Sequence, residues 1–149
     1  MGDAQVYLWF RGSWGNHANQ CALMALEFWA LERIDVGDDF AVVFYNVLEE
    51  NDSVAALGLA ASLCLAHLDK SIEQALPLIT CPHVWKWDLA RSVHDRRSMP
   101  ANEIGNWQRY RHLLNAVRAL NRRPNRQAFI RDMVRYFCFR TMRVFGNDD

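Results

Sequence analysis

Asp52-Ser53-Val54-Ala55-Ala56-Leu57-Gly58-Leu59-Ala60-Ala61-Ser62-Leu63-Cys64-Leu65-Ala66-His67-Leu68 is the stretch from which the fold is read. No charge interrupts it from Val54 to Leu68, and its 15 residues include Ser62, Cys64 and His67. A membrane-spanning helix needs about 20 apolar residues, so this one is too short. A helix apolar on nearly every side and too short to span belongs at the centre of a helical stack. Asp52 or Ser53 has the side-chain oxygen of an N-cap. The small residues Ala55, Ala56, Gly58, Ala60, Ala61 and Ser62 predict that neighbouring helices approach closely.

Working outward, apolar positions recur at helical spacing on both sides, with recognisable stops between them. A helix is expected near Ala18–Ile34, with Ala22, Leu26, Trp29 and Arg33 in one row and Leu23, Ala30 and Ile34 widening it; Gly37 stops it. Asp38 or Asp39 caps the next, through about Glu49, with Phe40, Val43, Phe44 and Val47 inward. On the other side, Ser71 and Gln74 have capping-box spacing, so a helix starts at Ile72 and is shortened or kinked by Pro77. Pro82 suits the first turn of another helix, near His83–His94, which presents Trp85, Leu89 and Val93 on one face. A long helix near Glu103–Arg122 repeats Ile104, Trp107, Tyr110, Leu114 and Val117, and Pro124 ends it. The last, near Gln127–Phe145, carries Phe129, Ile130, Met133, Val134, Phe137 and Met142.

The expected fold is therefore all-α: stacked antiparallel helix pairs, as a HEAT-like solenoid or a compact bundle of about six to seven helices, in one domain over 1–149 or in a piece of a longer protein. A weak internal repeat favours helix pairs: at an offset of 34, Ala22, Leu23, Leu31 and Asp35 fall on Ala56, Leu57, Leu65 and Asp69, with Ile34 over Leu68. With 51% hydrophobic residues, the chain has enough apolar surface to bury a core and is not disordered. Cys21, Cys64, Cys81 and Cys138 are scattered without a CxxC pair, as expected of free thiols in a reducing cytoplasm. The opening residues lack the charged and apolar regions of a signal peptide, so a cytoplasmic, non-membrane chain is expected.

The formal charge of zero hides an asymmetry. Residues 1–90 carry four basic against twelve acidic side chains, a net of −8; residues 91–149 carry thirteen arginines and no lysine against five acids, a net of +8. Such a split fits nucleic-acid contact, packing on adjoining repeats or internal neutralisation. Arg111, Arg118 and Arg122 recur at seven and four residues opposite Trp107, Leu114 and Val117, and Arg131 and Arg135 continue the pattern on the last helix. Basic side chains interleaved with Trp107, Tyr110 and Tyr136 hold a phosphate backbone and stack a base. Arginine without lysine suits pairing with carboxylates on a partner equally well.

Leu48-Glu49-Glu50-Asn51-Asp52-Ser53-Val54-Ala55-Ala56-Leu57-Gly58 and Trp85-Lys86-Trp87-Asp88 together resemble the helical-repeat region of very large bacterial STAND-type NTPases, whose family role is ligand sensing and regulation in defence against phage. The resemblance covers about a third of the chain and implies a sensor or scaffold segment. It implies no NTPase activity here, since the sequence has no GxxxxGK[ST] phosphate loop.

Other constellations are sparse. Cys64, His67, Cys81 and His83 are zinc-ligand types, but their spacing is poor and Cys64 sits in an apolar run, so packed thiols are expected and no metal or cofactor. His17 and Cys21, four apart, form a metal or nucleophile pair that nothing completes. His94-Asp95 with Arg96 and Arg97 offers phosphate contacts, or else reads as a solvated helix end. Asp38-Asp39 and Glu49-Glu50-Asn51-Asp52 read as caps and turns, because the EF-hand order is missing. Trp14, Trp85 and Trp87 read as core before ligand platforms.

The sequence thus predicts a non-catalytic helical interaction, scaffold or sensor module in bacterial defence, binding a protein partner or adjoining repeats, with self-association open to it. A nucleic-acid-binding module is the alternative, and a metal-dependent or phosphodiester-cleaving enzyme the third reading.

Overall fold

The computed structural model describes residues 2–11, 16–97, 115 and 118–145, with the side chains of 96, 97 and 141–145 left out. All regular structure among them is helical. A short α1 (Ala4–Tyr7) and a 3-10 turn (Trp9–Arg11) precede α2 (His17–Asp35), α3 (Phe40–Leu48), α4 (Val54–Ala66), α5 (Ile72–Ile79) and α6 (Pro82–Arg97). Residues 118–121 are helical and lead to α7 (Pro124–Gln127) and α8 (Ile130–Phe145).

The stops and starts follow local chemistry. Asn16, Asp39 and Ser53 cap α2, α3 and α4, their side-chain oxygens accepting from Asn19 N, Val42 N and Ala55 N. Gly37 adopts φ 107°, a backbone that glycine takes without strain, and so turns the chain out of α2. Pro82 opens α6 and Pro124 opens α7, where a missing N–H costs nothing. The capping box expected at Ser71 does not form. Ser71 is buried, and its hydroxyl donates to Cys64 O at 3.2 Å, tying α5 to the end of α4.

Helix α4 is the axis of the molecule. Almost every residue from Ala55 to Leu65 is buried, and elements from both ends of the chain pack on it: α1, the 3-10 turn, α2, α3, α5, α6, α7 and α8. In a solenoid each unit touches only its neighbours; among the described residues the contacts converge instead on α4, as in a compact bundle. Gly58 is what admits the N-terminal residues. A Cβ there would lie 2.5 Å from Phe10 Cε1 and 2.8 Å from the Tyr7 carbonyl oxygen. Tyr7 and Phe10 are fully buried, in a segment for which the sequence predicts no element.

Two helices turn faces other than those expected. On α2, Ala30, Leu31 and Ile34 are buried, but Ala22, Trp29 and Arg33 face water while Gln20 and Glu27 are inside. On α6, Leu89 is 51% and Val93 45% exposed, and the buried positions are Val84, Asp88, Arg91, Ser92 and Asp95. Trp85 and Trp87 are only partly buried; Trp85 Nε1 donates to Ile79 O, and Trp87 packs on Tyr7. The last helix starts at Ile130 rather than Gln127 because residues 124–127 form their own turn. Ile104, Trp107, Tyr110, Leu114, Val117 and Trp14 lie outside the described residues. No described helix is long and apolar enough to cross a membrane.

Candidate functional site

The polar residues that α2 and α6 turn inward meet polar groups from α1, the 3-10 turn, α4, α7 and α8 in one buried network. Arg11 Nη1 donates to both oxygens of Glu27 at 2.6 and 2.8 Å, and Nη2 donates to Ser62 Oγ at 3.2 Å. Ser62 in turn donates to Glu27 Oε1, while the Asn125 amide donates to Ser62 Oγ at 2.7 Å and to Glu27 Oε1 at 3.2 Å. Arg11 Nε lies 3.2 Å from Asp95 Oδ2, which also accepts from Arg91 Nη1 at 2.6 Å.

Around Arg91 the network becomes backbone-directed. Its guanidinium pairs with Asp88 and reaches Asn125 O at 3.1 Å and Ala128 O at 2.6 Å. Asp88 accepts from Tyr7 Oη at 3.2 Å and from Ile130 N at 2.8 Å. A carboxylate on α6 thus satisfies an orphan N–H at the start of α8, where the helix dipole favours negative charge. The guanidiniums of Arg11, Arg91 and Arg126 balance the carboxylates of Glu27, Asp88 and Asp95, which is what allows ions to remain charged out of water.

The titration behaviour follows from this burial. Tyr7 is raised well above 10 by desolvation and by the Asp88 charge. Burial alone would lower Arg91, but Asp88, Asp95 and Tyr7 together outweigh it and the guanidinium is raised. Burial pushes Asp95 up, yet the His94 hydrogen bond and the charges of Arg11 and Arg91 hold it below the usual carboxylate value. Arg126 is lowered to about 10 by burial and by Arg11, which its distant partner Glu27, 3.9 Å away, does not offset.

One side of the network opens on a cleft of about 260 Å3 between α2 and residues 120–126. Met24, Ala25, Phe28, Leu31 and Leu120 make its apolar walls; Glu27, Asn125, Arg123 and Arg126 supply its polar groups. The Arg123 guanidinium lies 5.7 Å from the centre of the Phe28 ring. The apolar face of the same helix extends past the cleft: Cys21, Ala22 and Trp29 are exposed beside the wall residues Met24, Ala25 and Phe28, which are exposed too.

The residues singled out from sequence are distributed unevenly. Arg118 and Arg122 are exposed, on the run that carries Arg123 and Arg126 to the cleft. Arg131 and Arg135 are exposed on α8, where Arg131 lies over Phe129 at 4.6 Å and Arg135 is 4.0 Å from Asp132. Arg111 lies outside the described residues, as do the side chains of Arg96 and Arg97. His94 is half-buried, its Nδ1 3.9 Å from Asp95 Oδ1. Asp95 does not belong to a solvated helix end, because it is 3% exposed and bound by two arginines. Cys64 is buried, and burial pushes its thiol up to about 12; His67 faces Asp35 at 3.7 Å. Arg11, Glu27, Ser62, Asp88, Arg91 and Asn125 were missed. The available signal was polar residues at helical spacing inside otherwise apolar helices, as with Glu27 on α2 and Ser62 on α4. No family model, curated protein or solved structure matches the chain.

Proposed function

We propose that this chain is a non-catalytic helical interaction module that docks a protein partner on the outer face of α2. The observation that carries the reading is the inversion of that helix. About three turns, bounded by His17-Ala18-Asn19 and Glu32-Arg33, present only Cys21, Ala22, Met24, Ala25, Phe28 and Trp29 to water, while Glu27 is inside. A surface helix normally turns its polar side outward. A contiguous exposed apolar patch of this kind marks an interaction surface. The resemblance to the helical regions of STAND-type NTPases supports a scaffold or sensor role in the same direction, with bacterial defence and the cytoplasm as its setting.

The test uses a random-peptide library displayed on phage and selected against the purified protein. Binders should be lost with Trp29→Asp and retained with Glu32→Gln, an exposed control on the same helix. If no binder depends on Trp29, and the wild type instead retains RNA or DNA at physiological salt through Arg118 and Arg122, the nucleic-acid reading replaces this one.

A further inference from the structure

We infer that the cleft between α2 and residues 120–126 is the anchoring pocket of this surface, and that the partner it fits is a peptide segment presenting one apolar side chain flanked by aspartate or glutamate. The inference rests on reading α2 as a docking face. It adds the chemistry of the partner, which the apolar face alone does not specify.

The shape of the cleft argues for a side chain. Its volume of about 260 Å3 is below the roughly 300–1,000 Å3 of pockets that enclose drug-sized molecules. Walls of Met24, Phe28, Leu31 and Leu120 suit an apolar group such as leucine or phenylalanine. Binding energy at protein interfaces concentrates on the few side chains that fill well-packed, desolvated pockets.

The charge argues for acidic flanks. Glu27 is the one carboxylate in the lining, and its oxygens are taken by Arg11, Ser62 and Asn125. Among the described residues no carboxylate lies within ion-pairing distance of Arg123, and Arg126 has only Glu27 at 3.9 Å. The run from Arg118 to Gln127 holds four arginines and no acid. Guanidiniums at an apolar mouth are geometrically suited to bidentate contact with carboxylates. The lowered titration of Arg126 agrees, since its burial exceeds the negative charge around it. A phosphodiester backbone would satisfy the arginines but leave the apolar walls without a partner.

The selected phage peptides decide the matter. The enriched pool should combine a leucine or phenylalanine with neighbouring Asp or Glu. Its binding should weaken about tenfold or more with Arg123→Glu, be abolished by Ala25→Trp, which fills the cleft from an exposed position, and weaken with salt. Circular dichroism melting of each variant establishes that the fold persists. A pool without acidic residues, or one that Trp29→Asp abolishes and Arg123→Glu leaves intact, overturns the inference while the docking face stands. A selection that yields no Trp29-dependent binder removes both, as does retention of single-stranded DNA or RNA that Arg123→Glu abolishes without peptide binding.

Discussion

Arg91 is the residue on which the buried network turns, because it touches two carboxylates and two main-chain carbonyls at once. Replacing it with methionine leaves Asp88 and Asp95 without their principal counter-charge, so Arg91→Met should destabilise by about 3–5 kcal/mol in urea unfolding. Tyr7→Phe removes a single hydrogen bond to Asp88 and should cost about 1 kcal/mol. The pH dependence is set by the same burial. Cys64, raised to about 12, and Tyr7, raised above 10, keep protons in the folded chain that the unfolded chain releases, so stability should fall as pH rises above about 9. Asp95 is lowered, so its contribution is complete above the ordinary value of 3.8 and is lost as pH falls through the depressed one. His67 is lowered by burial, so the unfolded chain takes up its proton first, and stability should begin to decline below pH 6.5. The urea midpoint followed across pH checks all of these; a midpoint that is flat from pH 8 to 11 would contradict the alkaline part.

At the scale of the element, α4 and α6 show why propensity and pattern mislead in opposite ways. Gly58 in the middle of α4 should cost helix stability, and Gly58→Ala would ordinarily gain up to about 1 kcal/mol. Here the added carbon meets Phe10 and the Tyr7 carbonyl below contact distance, so the substitution should lower the melting temperature, corresponding to about 1–3 kcal/mol of overpacking. An unchanged or raised melting temperature would mean that the N-terminal residues do not dock on α4. On α6, the apolar row Trp85, Leu89 and Val93 has the right period, but a second row, Asp88, Arg91 and Asp95, has it too. Period identifies a helix without identifying the inward row when polar residues can be satisfied inside.

For the whole molecule, the expected neutralisation of the acidic by the basic half is realised only in part. Arg91 with Asp88 and Arg126 with Glu27 pair the basic half with the acidic one, and Arg11 with Asp95 joins the halves in the opposite sense, whereas Arg118, Arg122, Arg131 and Arg135 stay exposed. Arg11 with Glu27 and Arg91 with Asp95 pair within a half, but each of these four groups also belongs to a link across the halves. A chain truncated after residue 97 lacks the carbonyls of Asn125 and Ala128 and the Ile130 N–H, and should lose cooperative unfolding by fluorescence and circular dichroism. A solenoid cut between repeats would instead keep the remainder folded, and a sharp transition in the fragment would favour that form.

The positions of α2 to α6 and of α8, the caps of α3 and α4, the central apolar helix and the charge split were legible in the sequence, because each depends on residues within a few positions of one another. α3 was read with its inward face, since one choice alone buries Phe40, Val43, Phe44 and Val47, and α4 was read as buried on nearly every side. The inward faces of α2 and α6, the docking of Tyr7 and Phe10 on Gly58, and the assembly of Arg11, Glu27, Ser62, Asp88, Arg91 and Asn125 were decided by tertiary structure. Their energies depend on partners far away in the chain: a glutamate or arginine is costly inside the protein until the opposing charge arrives, and only the folded arrangement brings the two together.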